Sequence, residues 1–256
     1  PAETPAPDPF EAARRLDAAS AQELASRLAE AEDTIRTASS DPDRLERAGR
    51  VQQASYRQLV RTPGWREEAF AALPPDVRVH ARLNVEAGEA LRRLLPSPLR
   101  DAPPDAWTIV QPPPPDELRS HYERASEATG IGWEYLAAIH LSETRMGRIR
   151  GDSHAGARGP MQFMPATWER YGDGGDIEDY GDAIAAAARM LRANGGPSDM
   201  DNALFRYNPS RHYVTAIGAY ARVMREAPRT FYGYYHWQVY YATSRGEALL
   251  EVGYGT

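Results

Sequence analysis

The chain has 256 residues and 42% of them are hydrophobic, which permits one large or two small domains with a real core. Its formal net charge of -6 argues against nucleic acid as the main partner, and the absence of cysteine excludes disulfides, thiolate catalysis and thiolate metal ligands. No run approaches the roughly 18 consecutive apolar residues of a membrane span, so we expect no transmembrane helix.

The N-terminal third predicts helices that carry no chemical motif. Asp8-Pro9 and Asp41-Pro42 are typical helix starts, and Ser20-x-x-Glu23 has the pattern of a capping box. Apolar residues recur at spacings of three and four after these starts, and a further helix is predicted over Val77 to Leu95. We expect residues 8–95 to form a helical hairpin or a small bundle.

Prolines are concentrated between residues 96 and 115, and four of them are consecutive from Pro112 to Pro115. Such a composition predicts an extended, semi-rigid connector. We therefore divide the chain into an N-terminal helical region (1–100), a proline-rich linker (101–115) and a C-terminal domain (116–256).

One carboxylate follows an unusually apolar helix. The segment from Trp133 to Leu141 is apolar on nearly all sides, as in a helix buried within a core, and Glu143 comes at its end. A partly desolvated carboxylate has a raised pKa and can hold a proton near neutral pH, as a general acid must. The alternative is a solvated glutamate paired with Arg145 or Arg148.

A glycine-rich loop follows Glu143. Four glycines are incompatible with a continuing helix and predict a long, shaped loop: Gly147, Gly151, Gly156 and Gly159. Pro165 then begins a new helix. Between them lie Met161, Gln162 and Phe163, where an amide with donors and an acceptor can bind sugar hydroxyls or N-acetyl groups. The alternative is a turn with two core hydrophobic residues.

Two further helices are predicted downstream. Asp182 to Leu191 is rich in alanine, and Asp201 to Tyr207 is ended by the dipeptide Asn208-Pro209. Tyr207 and Asn208 are therefore held at a helix end. A tyrosine there is typically a half-buried packing residue, unless Glu143 lies nearby.

The C-terminal stretch from Phe231 to Tyr254 is crowded with aromatic residues. It predicts two strands joined around Ser244 to Glu247, a small β-hairpin. Aromatic faces stack on sugar rings, so the hairpin either borders a cleft or packs against the rest of the domain.

Three motifs in this order resemble those of lytic transglycosylases, whose catalytic domain resembles goose-type lysozyme. They are Ser142-Glu143-Thr144, then Gly159 to Pro165 followed by Thr167-Trp168, then Arg206 to Ser210. The resemblance covers roughly residues 116 to 226, and the connecting helices look like those of relatives from actinobacterial cell walls. It implies a mainly α chain in which a lysozyme-like helical domain follows the N-terminal helices.

The resemblance also implies roles for individual residues. Glu143 aligns with the single catalytic acid of the family, and Thr144 stands where members usually have serine. Met161, Gln162 and Phe163 align with the segment that lines the sugar cleft. Tyr207 and Asn208 match the Ala-Tyr-Asn motif, in which the tyrosine lies close to the catalytic carboxylate and the asparagine positions sugar or loop; here Arg206 replaces the alanine.

The expected reaction is cleavage of the β-1,4 bond between N-acetylmuramic acid and N-acetylglucosamine, as the resemblance implies. Glu143 protonates the leaving oxygen and then acts as a base toward the muramyl C6 hydroxyl, which gives a 1,6-anhydro product. Glycosidases generally need two carboxylates, but substrate-assisted enzymes are an exception.

Two alternatives stay open. If Asp152, Asp173 or Asp176 lay about 6.5 to 9.5 Å from Glu143 across a cleft, an inverting hydrolase of the goose-type muramidase kind would be credible. The other alternative is a wall-binding or scaffold module that keeps the cleft without useful activity, although Glu143, Gln162, Tyr207 and Asn208 are all present.

The resemblance also sets expectations for partners and location. Peptidoglycan glycan strands are the expected partner, and a protein partner for the N-terminal helices is a separate hypothesis. We expect no cofactor and no metal, because His80 and His121 have no second ligand spaced to help. The expected location is extracytoplasmic, in the cell wall or a periplasm-like space. In this view Pro1 to Pro9 is the remnant of a tether after removal of an N-terminal signal or anchor.

Overall fold

A computed structural model describes residues 8–37 and 41–256, and within them the chain is mainly α-helical, which confirms the predicted fold class. The helices are α1 (Pro9–Ala12), α2 (Ala21–Arg36), α3 (Pro42–Arg61), α4 (Arg66–Ala72), α5 (Pro75–Arg92), α6 (Pro115–Thr129), α7 (Trp133–Thr144), α8 (Pro165–Tyr171), α9 (Tyr180–Ala193), α10 (Met200–Tyr207), α11 (Arg211–Glu226) and α12 (Thr230–Tyr235). The strands are β1 (Thr108–Ile109), β2 (Ile149–Arg150), β3 (Val239–Thr243) and β4 (Gly246–Leu250). None of the described helices is both long and apolar enough to cross a membrane.

The predicted starts of the N-terminal helices are confirmed by their caps. The Ser20 hydroxyl accepts a hydrogen bond from the Glu23 backbone N–H at 3.1 Å, and the Glu23 carboxylate accepts one from Ala19 at 2.7 Å. The Asp41 side chain accepts from the backbone N–H of Asp43 at 3.0 Å, in front of α3. These side chains satisfy backbone donors that have no partner within the helix.

The N-terminal helices pack directly on the C-terminal ones. Helix α5 lies against α11, and α3 lies against α12. A single hydrophobic cluster contains Leu28 and Leu59 from the N-terminal region together with Leu136 and Ile217 from the C-terminal domain. The free energy of burying this apolar surface therefore depends on both parts of the chain.

The proline-rich segment is attached to the loop that follows α7. Strand β1 pairs with β2 in antiparallel register, with Thr108 opposite Arg150 and Ile109 opposite Ile149. Ile109 is 1% exposed and belongs to a small hydrophobic cluster with the C-terminal hairpin. The linker thus restrains the loop beyond Glu143.

Helix α7 occupies the centre of the C-terminal domain. It packs against α6, α9, α11 and α12, and every residue from Leu136 to Leu141 is fully buried. This agrees with the apolar pattern around the whole helix. The last turn of a buried helix is a rigid place for a functional side chain.

The predicted C-terminal hairpin is confirmed in part and corrected in part. Strands β3 and β4 pair through a two-residue turn, with Thr243 opposite Gly246. The first predicted strand, from Phe231, is instead helix α12, whose aromatic side chains at 231, 234 and 235 are buried. Their spacing of three and four places them on one helical face, and packing of that face overrides the strand preference of aromatic residues.

Candidate active site

Glu143 lies in the last turn of α7, just before the helix ends at Arg145 in a left-handed conformation with φ 54°. Its side chain is partly buried, and its Oε1 accepts a hydrogen bond from the Tyr213 hydroxyl at 2.7 Å. The alternative partners point elsewhere, since Arg145 donates to the Leu141 carbonyl and Arg148 to Gln111 and Tyr235. Within the described part of the chain, no arginine or histidine forms an ion pair with Glu143.

The environment of Glu143 favours the protonated acid. Part of the side chain stays accessible, but the carboxyl is surrounded by protein, and this burial raises its pKa from the ordinary 4.5 to about 7. The hydrogen bond from Tyr213 lowers the pKa and is the weaker influence. Near neutral pH the carboxyl is therefore present in both protonation states. A residue that first donates a proton and later accepts one needs both states.

Two tyrosines lie beside this carboxyl. The Tyr207 and Tyr213 rings are stacked, with centroids 6.3 Å apart and an angle of 4° between their planes. Burial, and after it the charge of Glu143, raises the pKa of both hydroxyls well above the usual value. Both hydroxyls therefore stay protonated and can act as hydrogen-bond donors at neutral pH.

Backbone geometry shapes the loop that follows Glu143. All four glycines of the predicted loop have positive φ, between 70° at Gly159 and 118° at Gly151. A Cβ at Gly159 would lie 2.0 Å from the Ile177 carbonyl oxygen, so only glycine fits there. The loop prediction is confirmed, and Pro165 begins α8 as expected.

Thr144 holds the end of this loop against α7. Its hydroxyl donates to the Pro160 carbonyl at 2.7 Å and accepts from the Gly147 backbone N–H at 3.1 Å. The side chain is fully buried, so Thr144 has no surface that a ligand could contact. The structure thus gives this predicted substrate-binding residue a positioning role.

Met161 and Phe163 are also buried, with 0% and 2% exposure. The Phe163 ring packs at 5.6 Å from that of Trp168 and at 5.8 Å from that of Tyr207, while the Met161 carbonyl accepts a hydrogen bond from the Tyr207 hydroxyl at 2.6 Å. These two residues form the support beneath the site, because apolar side chains next to a turn gain free energy by leaving water.

Gln162 and Asn208 remain partly accessible. Gln162 has a positive φ of 51°, and its side-chain amide donates to the Gly159 carbonyl at 3.0 Å. Asn208 caps the C-terminal end of α10, and its side-chain amide makes no hydrogen bond within the described residues. With Tyr207 they are the predicted binding residues that a ligand could reach.

Two of the predicted second carboxylates, those of Asp152 and Asp176, have partners other than Glu143. Asp152 lies 3.6 Å from Arg158, and Asp176 accepts from the Glu178 backbone N–H at 2.9 Å. The pKa of Glu143 responds to burial and Tyr213 but to no other carboxylate of the described chain. The described residues also contain no cluster of His, Asp and Glu that could hold a metal.

Tyr213 is the residue of the candidate site that the sequence did not single out as a partner of Glu143. It is the third residue of α11, after a helix start capped by Ser210, and lies 70 positions along the chain from Glu143. No family model, curated protein or solved structure matches this chain. A functional assignment must therefore rest on the site geometry and on the order of the sequence motifs.

Proposed function

We propose that the protein is a peptidoglycan lytic transglycosylase that cleaves the β-1,4 bond between N-acetylmuramic acid and N-acetylglucosamine. The observation that carries the proposal is the single, half-buried carboxyl of Glu143, with its pKa of about 7 and its one hydrogen bond from Tyr213. The three motifs that resemble this family support it, because the Thr144 hydroxyl bonds to the Pro160 carbonyl and the Tyr207 hydroxyl to the Met161 carbonyl, which joins the three motifs to one another. Such an activity would belong outside the cytoplasm, on glycan strands of the wall.

The reaction needs one group that first donates and then accepts a proton. Glu143 protonates the glycosidic oxygen as the C1–O4 bond breaks. The carboxylate that results takes the proton of the muramyl C6 hydroxyl as O6 bonds to C1, so a 1,6-anhydro ring forms without water. No second carboxylate is required when the substrate supplies its own nucleophile.

Tyr213 orients the acid for this step. Because its hydroxyl donates to Oε1 at 2.7 Å, the other oxygen, Oε2, is left to carry the reactive proton. The accessible Gln162, Tyr207 and Asn208 are the groups proposed to contact the sugars. Thr144, Met161 and Phe163 act through the shape of the loop.

The test is mass spectrometry of soluble products from purified peptidoglycan incubated with the wild-type protein or with Glu143→Gln. Wild type should release anhydromuramyl fragments, and the variant should lower their rate of release by at least about 100-fold, the contribution typical of general acid–base catalysis. Glu127→Gln is the matched control, since it makes the same chemical change at an exposed position of α6 and should keep full activity.

The same spectra separate the alternatives. Products with reducing muramyl ends, one water heavier, would show a hydrolase of the muramidase kind. Absence of soluble products with wild-type protein would favour the binding or scaffold module. A Glu143→Gln variant as active as wild type would overturn the assignment of Glu143.

A further inference from the structure

A cavity of about 150 Å³ lies between the N-terminal helices and the C-terminal domain. Its walls come from α3, α5, α11 and the β3–β4 hairpin. Arg145 reaches it from the end of α7, while Glu143 is not among the residues that line it. The cavity is therefore distinct from the candidate active site, although both lie at the C-terminal end of α7.

The charged lining of this cavity is predominantly positive. Three arginines face one carboxylate, that of Glu247. Glu247 is shared, because it lies 2.6 Å from Arg57, 3.9 Å from Arg92 and, just outside the lining, 3.6 Å from Arg61. This local excess of positive charge occurs in a chain whose net charge is -6.

Arg145 is left without a carboxylate among the described residues. Among the described residues, the one hydrogen bond of its guanidinium group goes to the Leu141 carbonyl at 2.6 Å. Burial lowers the pKa of Arg145. The surrounding protein therefore does not fully replace the water that would stabilise this cation. An unpaired charge surrounded by protein costs free energy, and an anion supplied from outside would offset that cost.

Arg57, on another wall of the cavity, is also incompletely satisfied. Its Nη2 atom is in ion-pair contact with Glu247 Oε2, but the two groups are not aligned for a hydrogen bond, and both buried atoms lack a hydrogen-bond partner. The pKa of Arg57 is lowered first by burial and also by the charges of Arg61 and Arg145. The guanidinium groups of Arg57 and Arg145 therefore both line this cavity and repel each other electrostatically.

The remaining walls are mostly apolar and aromatic, with Gln53 and Asn84 as neutral polar members. Leu91 comes from the end of α5, Leu95 from the turn after it, Tyr220 from α11 and Trp237 from the segment before β3. Leu95 is 42% exposed and marks the mouth. A ligand pocket with apolar walls and a few convergent polar groups takes a small molecule with one charged end.

We propose that this cavity binds a small carboxylate with an apolar or aromatic body. The carboxylate lies against the guanidinium groups of Arg145 and Arg57, for which a planar carboxylate is the matching acceptor, and the body packs on Leu91 and Trp237. The ligand source is either a free acid or the C-terminal carboxylate of a short peptide. This binding does not depend on the activity proposed for Glu143.

Calorimetric titration of the full chain tests the proposal with three probes: 3-phenylpropionate, its neutral isostere 3-phenylpropionamide, and N-acetyl-D-alanyl-D-alanine. At least one carboxylate should bind tenfold or more tightly than the amide, and the tighter of the two identifies the source. Arg145→Gln should weaken that binding at least tenfold. Arg93→Gln, which removes an exposed arginine next to the cavity, should change it less than twofold.

A substitution at the mouth of the cavity tests the proposal even if Arg145→Gln impairs folding. Leu95→Asp places a negative charge at an exposed position and should weaken carboxylate binding about threefold or more relative to Leu95→Asn. Equal binding of carboxylate and amide, no binding of either carboxylate, or unchanged affinity in both Arg145→Gln and Leu95→Asp would overturn the proposal.

Discussion

Two glutamates in this protein show opposite ways of placing a carboxylate inside a helical fold. Glu32 on α2 is 1% exposed, and its two oxygens accept from Arg36 at 3.1 Å, from Gln52 at 2.9 Å and from the Tyr56 hydroxyl. Glu143 on α7 accepts from Tyr213 alone. Each has a tyrosine partner, but only Glu32 has a cation as well.

The set of donors, rather than burial alone, therefore separates an ion-paired carboxylate from one that keeps its proton. Arg36 and Gln52 supply charge and hydrogen bonds that balance the desolvation of Glu32. At Glu143 a single neutral donor, the Tyr213 hydroxyl, opposes the effect of desolvation on the pKa. Desolvation is the stronger influence and raises the pKa of Glu143 to about 7.

The largest effect is expected from Glu32→Gln. The substitution removes the buried counter-charge of Arg36, which keeps, among the described residues, only the exposed carboxylate of Asp76 at 2.7 Å, so the free energy of unfolding should fall by about 3–5 kcal/mol. Urea denaturation measures this. Glu123→Gln is the control, since it breaks an exposed pair with Arg119 and should cost less than about 1 kcal/mol. An equally small loss for Glu32→Gln would contradict its structural role.

Glu143→Gln should have the opposite effect on stability, and only at higher pH. Because the folded pKa of about 7 exceeds the ordinary 4.5, the native state binds more protons than the unfolded state between these values. The wild-type protein therefore loses stability as the pH rises from 4.5 to about 7. Glu143→Gln has no carboxyl to titrate at this position, so it does not lose this stability. Relative to wild type it should gain on the order of 1–3 kcal/mol between pH 4.5 and pH 8. Unfolding curves at both pH values, with Glu127→Gln as a control that gains nothing, check this.

Thr144→Val tests the support beneath the site. Valine has the shape of threonine but leaves the buried Pro160 carbonyl and Gly147 N–H without their partner, so unfolding free energy should fall by about 1–2 kcal/mol. Thr144→Ser keeps the hydroxyl and should recover most of this loss. If valine and serine had the same stability, the positioning role assigned to the hydroxyl would be wrong.

The smallest expected effect comes from Tyr213→Phe. Its hydrogen bond lowers the pKa of Glu143, so its removal should raise that pKa above about 7. The alkaline limb of the pH–rate profile should move up by about 1 unit or less. Tyr232→Phe, which removes a hydroxyl bonded to Asp116 at the surface, should leave the limb unchanged. A downward shift for Tyr213→Phe would contradict the assigned donor.

Much of the fold could be predicted from local sequence signals. Capping residues such as Ser20 and Asp41, and the apolar surround of α7, are short-range features that act on the backbone directly. The strand predicted from Phe231 was wrong because the aromatic residues of α12 gain more from packing on α3 than from any local preference. Local sequence does not encode that choice.

The carboxyl of the candidate site could be predicted from the sequence, but its hydrogen-bond partner could not. The position of Glu143 at the end of a buried helix follows from the chain around it. Tyr213 is brought to Oε1 by the packing of α11 on α7, a long-range contact that no spacing reveals. The predicted binding residues Met161 and Phe163 are buried for a similar reason, since a turn can direct its side chains inward or outward. Thr144, the last residue of α7, is buried against the Pro160 carbonyl.

Glu143 keeps a proton near neutral pH because it is enclosed with a single neutral donor. A ¹³C NMR titration of side-chain carboxyls, with Glu143→Gln to assign the resonance, measures this directly and needs no substrate. We expect a midpoint near pH 7 for the Glu143 signal. A midpoint close to 4.5, the ordinary value, would contradict it.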